Sequence, residues 1–227
     1  MRFFALFPFL FALFAFPVFS QETQIASLTA MQHYRMGRDL EAGGRMEEAN
    51  VHYDEAIRIC QEEVSRNAAN SDTYTAAAWA LVRQRKYQEA VGWGDRGLGL
   101  YANDYRIVEA MGEAYFYLDD YSRSLASMQR YVNAVPQGER SSVAYFFIGE
   151  IYRLGGKYRH ADIAYTTAVR LEPGLALWWY RLASVRELAG DYHPAVEAYQ
   201  QALRINPGYT EAGAGLARSR TQADDTQ

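Results

Sequence analysis

Residues 142–173, SVAYFFIGEIYRLGGKYRHADIAYTTAVRLEP, are followed by residues 174–207, GLALWWYRLASVRELAGDYHPAVEAYQQALRINP, and the two are one pattern written twice. Tyr145, Ile148, Gly149, Ala161, Tyr165, Ala168 and Pro173 recur 34 residues later as Trp179, Leu182, Ala183, Ala195, Tyr199, Ala202 and Pro207. Arg186 breaks the match, standing where Tyr152 would repeat. A unit of this length holds two helices and two short turns. Small residues are needed where paired helices cross closely, and Gly149, Ala161, Ala183 and Ala195 supply them. Tyr152, Tyr165 and Tyr199 fill the spaces that the small residues leave. Gly155, Gly156 and Gly190 make the turn inside each pair, and Pro173 and Pro207, each followed by glycine, end the second helix.

The landmarks continue outward. Val108, Met111, Gly112, Tyr115, Tyr121, Ser124, Met128, Tyr131 and Pro136 form a third repeat, set off from the fourth by a three-residue insertion around residues 137–140. Tyr74, Ala77, Ala78, Leu81, Tyr87 and Ala90 mark the second, with Asp72 read as its helix cap. Its second helix carries Gly92, Gly94, Gly97 and Gly99, each costing about 1 kcal/mol against alanine in a helix interior. Gly94 and Gly97 fall on close-packing positions and the other two do not, which makes this the weakest repeat. In the first repeat the landmarks are Met36, Gly37, Leu40, Ala49, Tyr53 and Ala56. The next set follows 41 residues later, so the second helix of the first pair is expected to run about two turns longer than usual. Residues 209–219 read as one last helix, the polar-faced cap that a stack of repeats requires.

This spacing resembles the tetratricopeptide repeat (TPR) family, over nearly all of the chain after its first 29 residues. The resemblance implies an all-α, right-handed solenoid of about five helix-turn-helix repeats plus a C-terminal capping helix. It also implies an inner groove lined by the first helix of each pair. Carried onto this sequence, the groove positions are Tyr34, Arg35 and Arg38 in the first repeat, and Trp79 and Arg83 in the second. The third repeat gives Arg106, Glu109, Glu113, Phe116 and Tyr117; the fourth gives Phe146, Phe147, Glu150 and Arg153; the fifth gives Tyr180, Arg181 and Glu187. Arginines and aromatics, the residue types that dominate binding energy at interfaces, are both well represented. Phe146 and Phe147 also admit a plainer role, packing between neighbouring repeats. The family's chaperone-tail clamp uses asparagine at the ninth position. Arg38, Trp79, Glu113, Glu150 and Ser184 stand there, so that clamp is not expected. Trp178 has no core position in the pattern and reads either as an exposed residue available for self-association or as a cover for the preceding repeat.

Of the 227 residues, 49% are hydrophobic and 22% charged, and the net charge of −4 argues against general nucleic-acid binding, which wants a basic face. Arg2 is followed by an uncharged apolar run to Phe19 with eight phenylalanines, then by a polar stretch, the order of a secretory signal peptide. Residues 1–20 are therefore read as signal peptide, 21–29 as a flexible leader, 30–220 as the TPR domain and 221–227 as a disordered tail. Membrane attachment is expected through an uncleaved N-terminal segment if at all. Cys60, the single cysteine, excludes an internal disulfide and reads as a small buried helix residue.

Nothing reads as a catalytic site, and no cofactor is expected. His33, His52, His160 and His193 have no metal-ligand spacing and read as surface or turn residues. Asp119 and Asp120 read as a solvated acidic turn. The expected function is a non-enzymatic interaction scaffold, exported to the periplasm or cell envelope, that holds a partner polypeptide in the groove. The alternative is a self-assembling structural module of an envelope complex.

Overall fold

The computed structural model describes residues 28–225, which form eleven α-helices and, among the described residues, no strand. The signal peptide, all but the end of the leader and residues 226–227 lie outside the described residues. Five helix pairs follow one another: α1 (Ala30–Ala42) with α2 (Met46–Ser65), α3 (Ser71–Arg83) with α4 (Tyr87–Leu100), α5 (Tyr105–Tyr117) with α6 (Tyr121–Ala134), α7 (Ser141–Leu154) with α8 (Tyr158–Leu171), and α9 (Ala176–Leu188) with α10 (Tyr192–Ile205). A single helix, α11 (Thr210–Asp224), closes the stack.

The first and fourth pairs pack through a glycine facing a tyrosine ring. A side chain at Gly149 would meet the Tyr165 ring at 2.6 Å, and one at Gly37 would meet Tyr53 at the same distance. The capping helix joins in the same way, with Gly215 against Tyr199. Tyr53, Tyr165 and Tyr199 are all fully buried. Gly94 and Gly97 are likewise pressed against Met111 and Tyr74, whereas Gly92 and Gly99 meet nothing within 4 Å. Despite its four glycines, α4 is unbroken from Tyr87 to Leu100.

The turn inside every pair has one residue of positive φ, at Gly44 (76°), Arg85 (60°), Asp119 (59°), Gly156 (68°) and Gly190 (81°). In the second and third repeats this left-handed position is held by residues with a Cβ, which strains the backbone by roughly 1–2 kcal/mol at Arg85. The long α2 has 20 residues against 14 in α4, matching the 41-residue spacing. Its extra turns lie against the start of α3, where the Cys60 thiol donates to the Thr73 carbonyl at 3.1 Å and the Thr73 hydroxyl to Glu63 at 2.5 Å. Cys60 is thus the buried helix residue expected.

Three readings are corrected. Asn70 rather than Asp72 caps α3, accepting from the amides of Asp72 and Thr73. The last helix continues past residue 220 to Asp224, because Ala212, Gly215, Ser219 and Ala223 form one buried stripe along it. Thr29, placed in the leader, is the N-cap of α1 and makes a reciprocal capping box with Gln32.

These packing facts set opposite signs for glycine substitutions. Gly149→Ala is expected to cost about 1–3 kcal/mol by forcing Tyr165 out of its notch. Gly92→Ala and Gly99→Ala should each gain roughly 0.5–1 kcal/mol, and Arg85→Gly on the order of 1 kcal/mol. Urea denaturation of the four variants checks this, and a stabilised Gly149→Ala would contradict the packing described.

Candidate inner groove

The first helices of successive pairs lie side by side, α1 on α3, α3 on α5 and α5 on α7, with α9 on α11 at the far end. Their shared surface is the inner face. On it, tyrosine, glutamate and arginine form a repeated chain that ties one pair to the next. Tyr53 donates to Glu41 at 2.7 Å, and Arg83 of the next pair also binds Glu41. Tyr165 donates to Glu150, whose carboxylate also pairs with Arg153 at 2.8 Å and with Arg181 of the next pair at 3.0 Å. Tyr199 donates to Glu187 at 2.6 Å, and Arg218 of the capping helix reaches the same carboxylate at 2.8 Å. Burial first, then the carboxylate each one binds, raises the three tyrosines above the ordinary phenol value. Burial works against the Glu41 charge, but the bonds from Arg83 and Tyr53 overcome it and hold that carboxyl below its ordinary range.

The third repeat builds its version around a loop residue. Arg140, which immediately precedes α7, donates from Nε to Glu109 at 2.7 Å and binds Glu113 through Nη2. Trp79 donates its indole N–H to the other oxygen of Glu109 at 2.9 Å, and Tyr34 stacks on Trp79 with ring centres 5.1 Å apart. Burial pushes the Glu109 carboxyl up against the pull of the Arg140 guanidinium. Arg140 is itself raised, the two carboxylates outweighing the opposite effect of burial.

A run of rings continues along the face. Tyr87 stacks on Tyr117 at 4.7 Å, Tyr117 meets Phe147 edge-on at 5.9 Å, and Phe147 contacts Phe116 at 4.9 Å. Phe146 touches Phe147 and stacks on Trp178 of the next pair at 5.0 Å. A separate cluster further along brings Tyr180 against Tyr199 and Tyr209.

The proposed groove positions therefore divide into floor and surface. Tyr34, Trp79, Glu109, Glu113, Phe147 and Glu150 are buried. Arg35 and Tyr117 are exposed, Tyr117 by 48%, while Arg38, Arg83, Phe116, Phe146, Arg153, Tyr180 and Arg181 are half-buried. Arg106 is turned aside to the boundary between the second and third pairs, where it binds Asp72 and Asp104, each at 2.7 Å. Trp178 is only 7% exposed, so of its two readings the cover for the preceding repeat is the one observed. Asp119 and Asp120 do form a turn, and Asp120 caps α6 through the Arg123 amide.

Arg140, Glu41 and Arg218 had no inner-face role in the sequence pattern. A usable signal was present: Glu109, Glu150 and Glu187 are each followed 31 residues later by an arginine, Arg140, Arg181 and Arg218. His33 is a further correction. It is fully buried and shares a 3.0 Å Nδ1–Nδ1 contact with His52 between α1 and α2, a geometry that requires at least one ring to be neutral. Among the described residues no group of three or more histidine, cysteine or acidic side chains converges to hold a metal ion, and no helix is long and apolar enough to cross a membrane.

Residues 142–174 and 176–209 each match the tetratricopeptide repeat family. Comparison with curated protein sequences gave no match. Solved structures share the fold. TTC0263, a thermophilic TPR protein of Thermus thermophilus, is 17% identical with a TM-score of 0.62, covering 85% of this chain and 100% of that one. MamA of Desulfovibrio magneticus is 19% identical with a TM-score of 0.60 over 79% of this chain and 96% of that one. YrrB, described as a TPR protein with an unusual peptide-binding site, is 19% identical with a TM-score of 0.54 over 84% and 92%.

Two measurements test these contacts. Arg140→Met leaves two buried carboxylates without their cation and is expected to cost about 3–5 kcal/mol. Arg218→Ala removes a largely exposed arginine from a carboxylate that Tyr199 still satisfies and should cost at most about 1 kcal/mol in the same urea titration; equal losses would refute the ranking. The His52 ring is held below its ordinary value by burial and by His33, with Glu48 opposing. A histidine kept neutral by the fold stabilises above its unfolded value of about 6.5, and the contribution is lost as pH falls through the depressed value. Thermal stability should therefore drop less between pH 7 and pH 5 in His52→Gln than in the unsubstituted protein, and an unchanged drop would show that the pair does not couple to folding.

Proposed function

We propose that this chain, a tetratricopeptide repeat protein, is a non-enzymatic scaffold that holds a partner polypeptide on its inner face. The observation that carries this reading is the exposed edge of the aromatic run. Tyr117 stands out from the contiguous rings of Phe116, Phe146 and Phe147, with Arg153 and Arg181 half-buried nearby. The neighbouring carboxylate, Glu150, is buried beneath these arginines and paired by both. A peptide laid along this face meets ring faces and guanidinium groups, the chemistry that concentrates binding energy at protein interfaces. The peptide-binding site attributed to YrrB, which has the same fold, supports a groove of this kind.

The order of residues 1–20, a basic start followed by an apolar run, supports export, with action in the periplasm or cell envelope. Self-assembly through Trp178 loses its footing, since that ring is covered by Phe146.

Affinity capture from the native envelope fraction tests the reading. Tyr117→Ala with Arg153→Ala should abolish capture of the partner while leaving helix content unchanged by circular dichroism; undiminished capture would remove the inner face as the binding surface. N-terminal sequencing of protein from the producing cell should find a chain starting after Ser20, and one starting at Met1 would refute cleavage.

A further inference from the structure

The connections between successive units are short: residues 101–104, 172–175 and 206–209 each span four positions and residues 66–70 five, whereas residues 135–140 span six. The additional residues do not loop outward. They turn back over the inner face and close on elements far earlier in the chain. Glu139 meets Arg38 of α1, 101 residues away, at 3.1 Å. Arg140 is seated on Glu109 and Glu113 with its guanidinium 5.9 Å from the centre of the Trp79 ring. The path is tightly held. Tyr131 packs so closely on Gly138 that a Cβ there would collide with its hydroxyl, and that hydroxyl accepts from the Arg140 amide at 3.3 Å. Beside it a cavity of about 310 Å3 lies between Trp79, Tyr105, Tyr131 and residues 138–140.

The arginines that join Glu41, Glu150 and Glu187 to the next element, Arg83, Arg181 and Arg218, project from helices and leave 33%, 32% and 61% of their side chains exposed. Arg140 comes from a connection and leaves 14%. Two carboxylates beside an aromatic face match the planar fork of a guanidinium, which an ammonium cannot fill in the same way. The outer contact is different in kind: Arg38 and Glu139 are 42% and 67% exposed, and a pair of that sort contributes little and weakens with salt.

We propose that residues 137–140 are a strap: the chain's own ligand for the N-terminal half of the inner face, seating Arg140 where an arginine side chain of a partner segment would otherwise bind. This rests on the inner face being the partner-binding surface. The strap confines an unassisted partner to α7, α9 and the end of α5 beyond Glu113. Entry to the half formed by α1 and α3 requires an arginine-bearing segment that takes over the seat, with the exposed rim pair giving way first.

The seat is testable without the partner, using methylguanidinium as the probe and methylammonium as its control. In Arg140→Ala, methylguanidinium at low millimolar concentration should raise the melting temperature by several degrees, with methylammonium much less effective. The unsubstituted protein should take up methylguanidinium at least tenfold more weakly, because its own arginine holds the site. If Arg140→Ala does not fold, restoration of its helical circular dichroism by methylguanidinium supports the strap. Arg140→Ala with Glu113→Gln, which retains one carboxylate, keeps the comparison possible. Equal response to the two cations, or equal uptake by variant and unsubstituted protein, would overturn the proposal and leave Arg140 as a structural staple. Failure of the groove reading shows separately, as partner capture indifferent to Tyr117 and Arg153.

Discussion

Two helices of 13 or 14 residues cannot close a core between them. Each pair leaves one flank bare, and only the next pair covers it. This constraint explains why the buried residues form successive clusters along the stack rather than one centre. It also explains why the last element is α11, a helix with Ala212, Gly215, Ser219 and Ala223 on one side and a polar opposite face. In the first and fourth pairs and at the capping helix, the contact that sets helix separation is a tyrosine ring in the notch of a glycine. Its tolerance is small, because nothing larger than hydrogen fits at Gly37, Gly149 or Gly215 without moving a fully buried ring.

That constraint also decides what was legible in the sequence. Steric landmarks must recur with the structural period, so Gly149, Tyr165, Ala183 and Tyr199 disclosed the fold directly. The turns were legible at Gly156 and Gly190, where residue type and backbone conformation agree, and at Asp119 as an acidic turn, but not at Arg85. There the conformation is imposed by the stack, against local preference. The ion pairs were less visible, since a charged residue's type does not reveal which face it occupies. Glu109 and Glu113 were placed correctly on the inner helix, yet their partner came from residues 137–140, a segment that the repeat pattern treats as an interruption. His33 was misread because a polar residue type suggested the surface, while pairing with His52 satisfies it in the interior.

The inner face has a vertical order that a list of groove positions does not convey. Carboxylates lie at the bottom, held by tyrosine hydroxyls from behind and by arginines from the next repeat above. The same bonds therefore join repeats and set the chemistry of the surface. What stays exposed on this face is the outer side of the guanidinium groups and the edges of the rings. A surface built this way offers cations and π-faces at its outermost layer.

The additional turns of α2 have a mechanical consequence. Six residues beyond the 14 of α4 lengthen that helix by about 9 Å. Val64 and the Thr73 contacts anchor this extension to the following pair, so the first junction has a longer lever arm than any other compared with it along the stack. Under tension or twisting the molecule would not deform as an evenly wound spring. The first junction, gripped along this extra length, would respond differently from those built on helices of 14 residues.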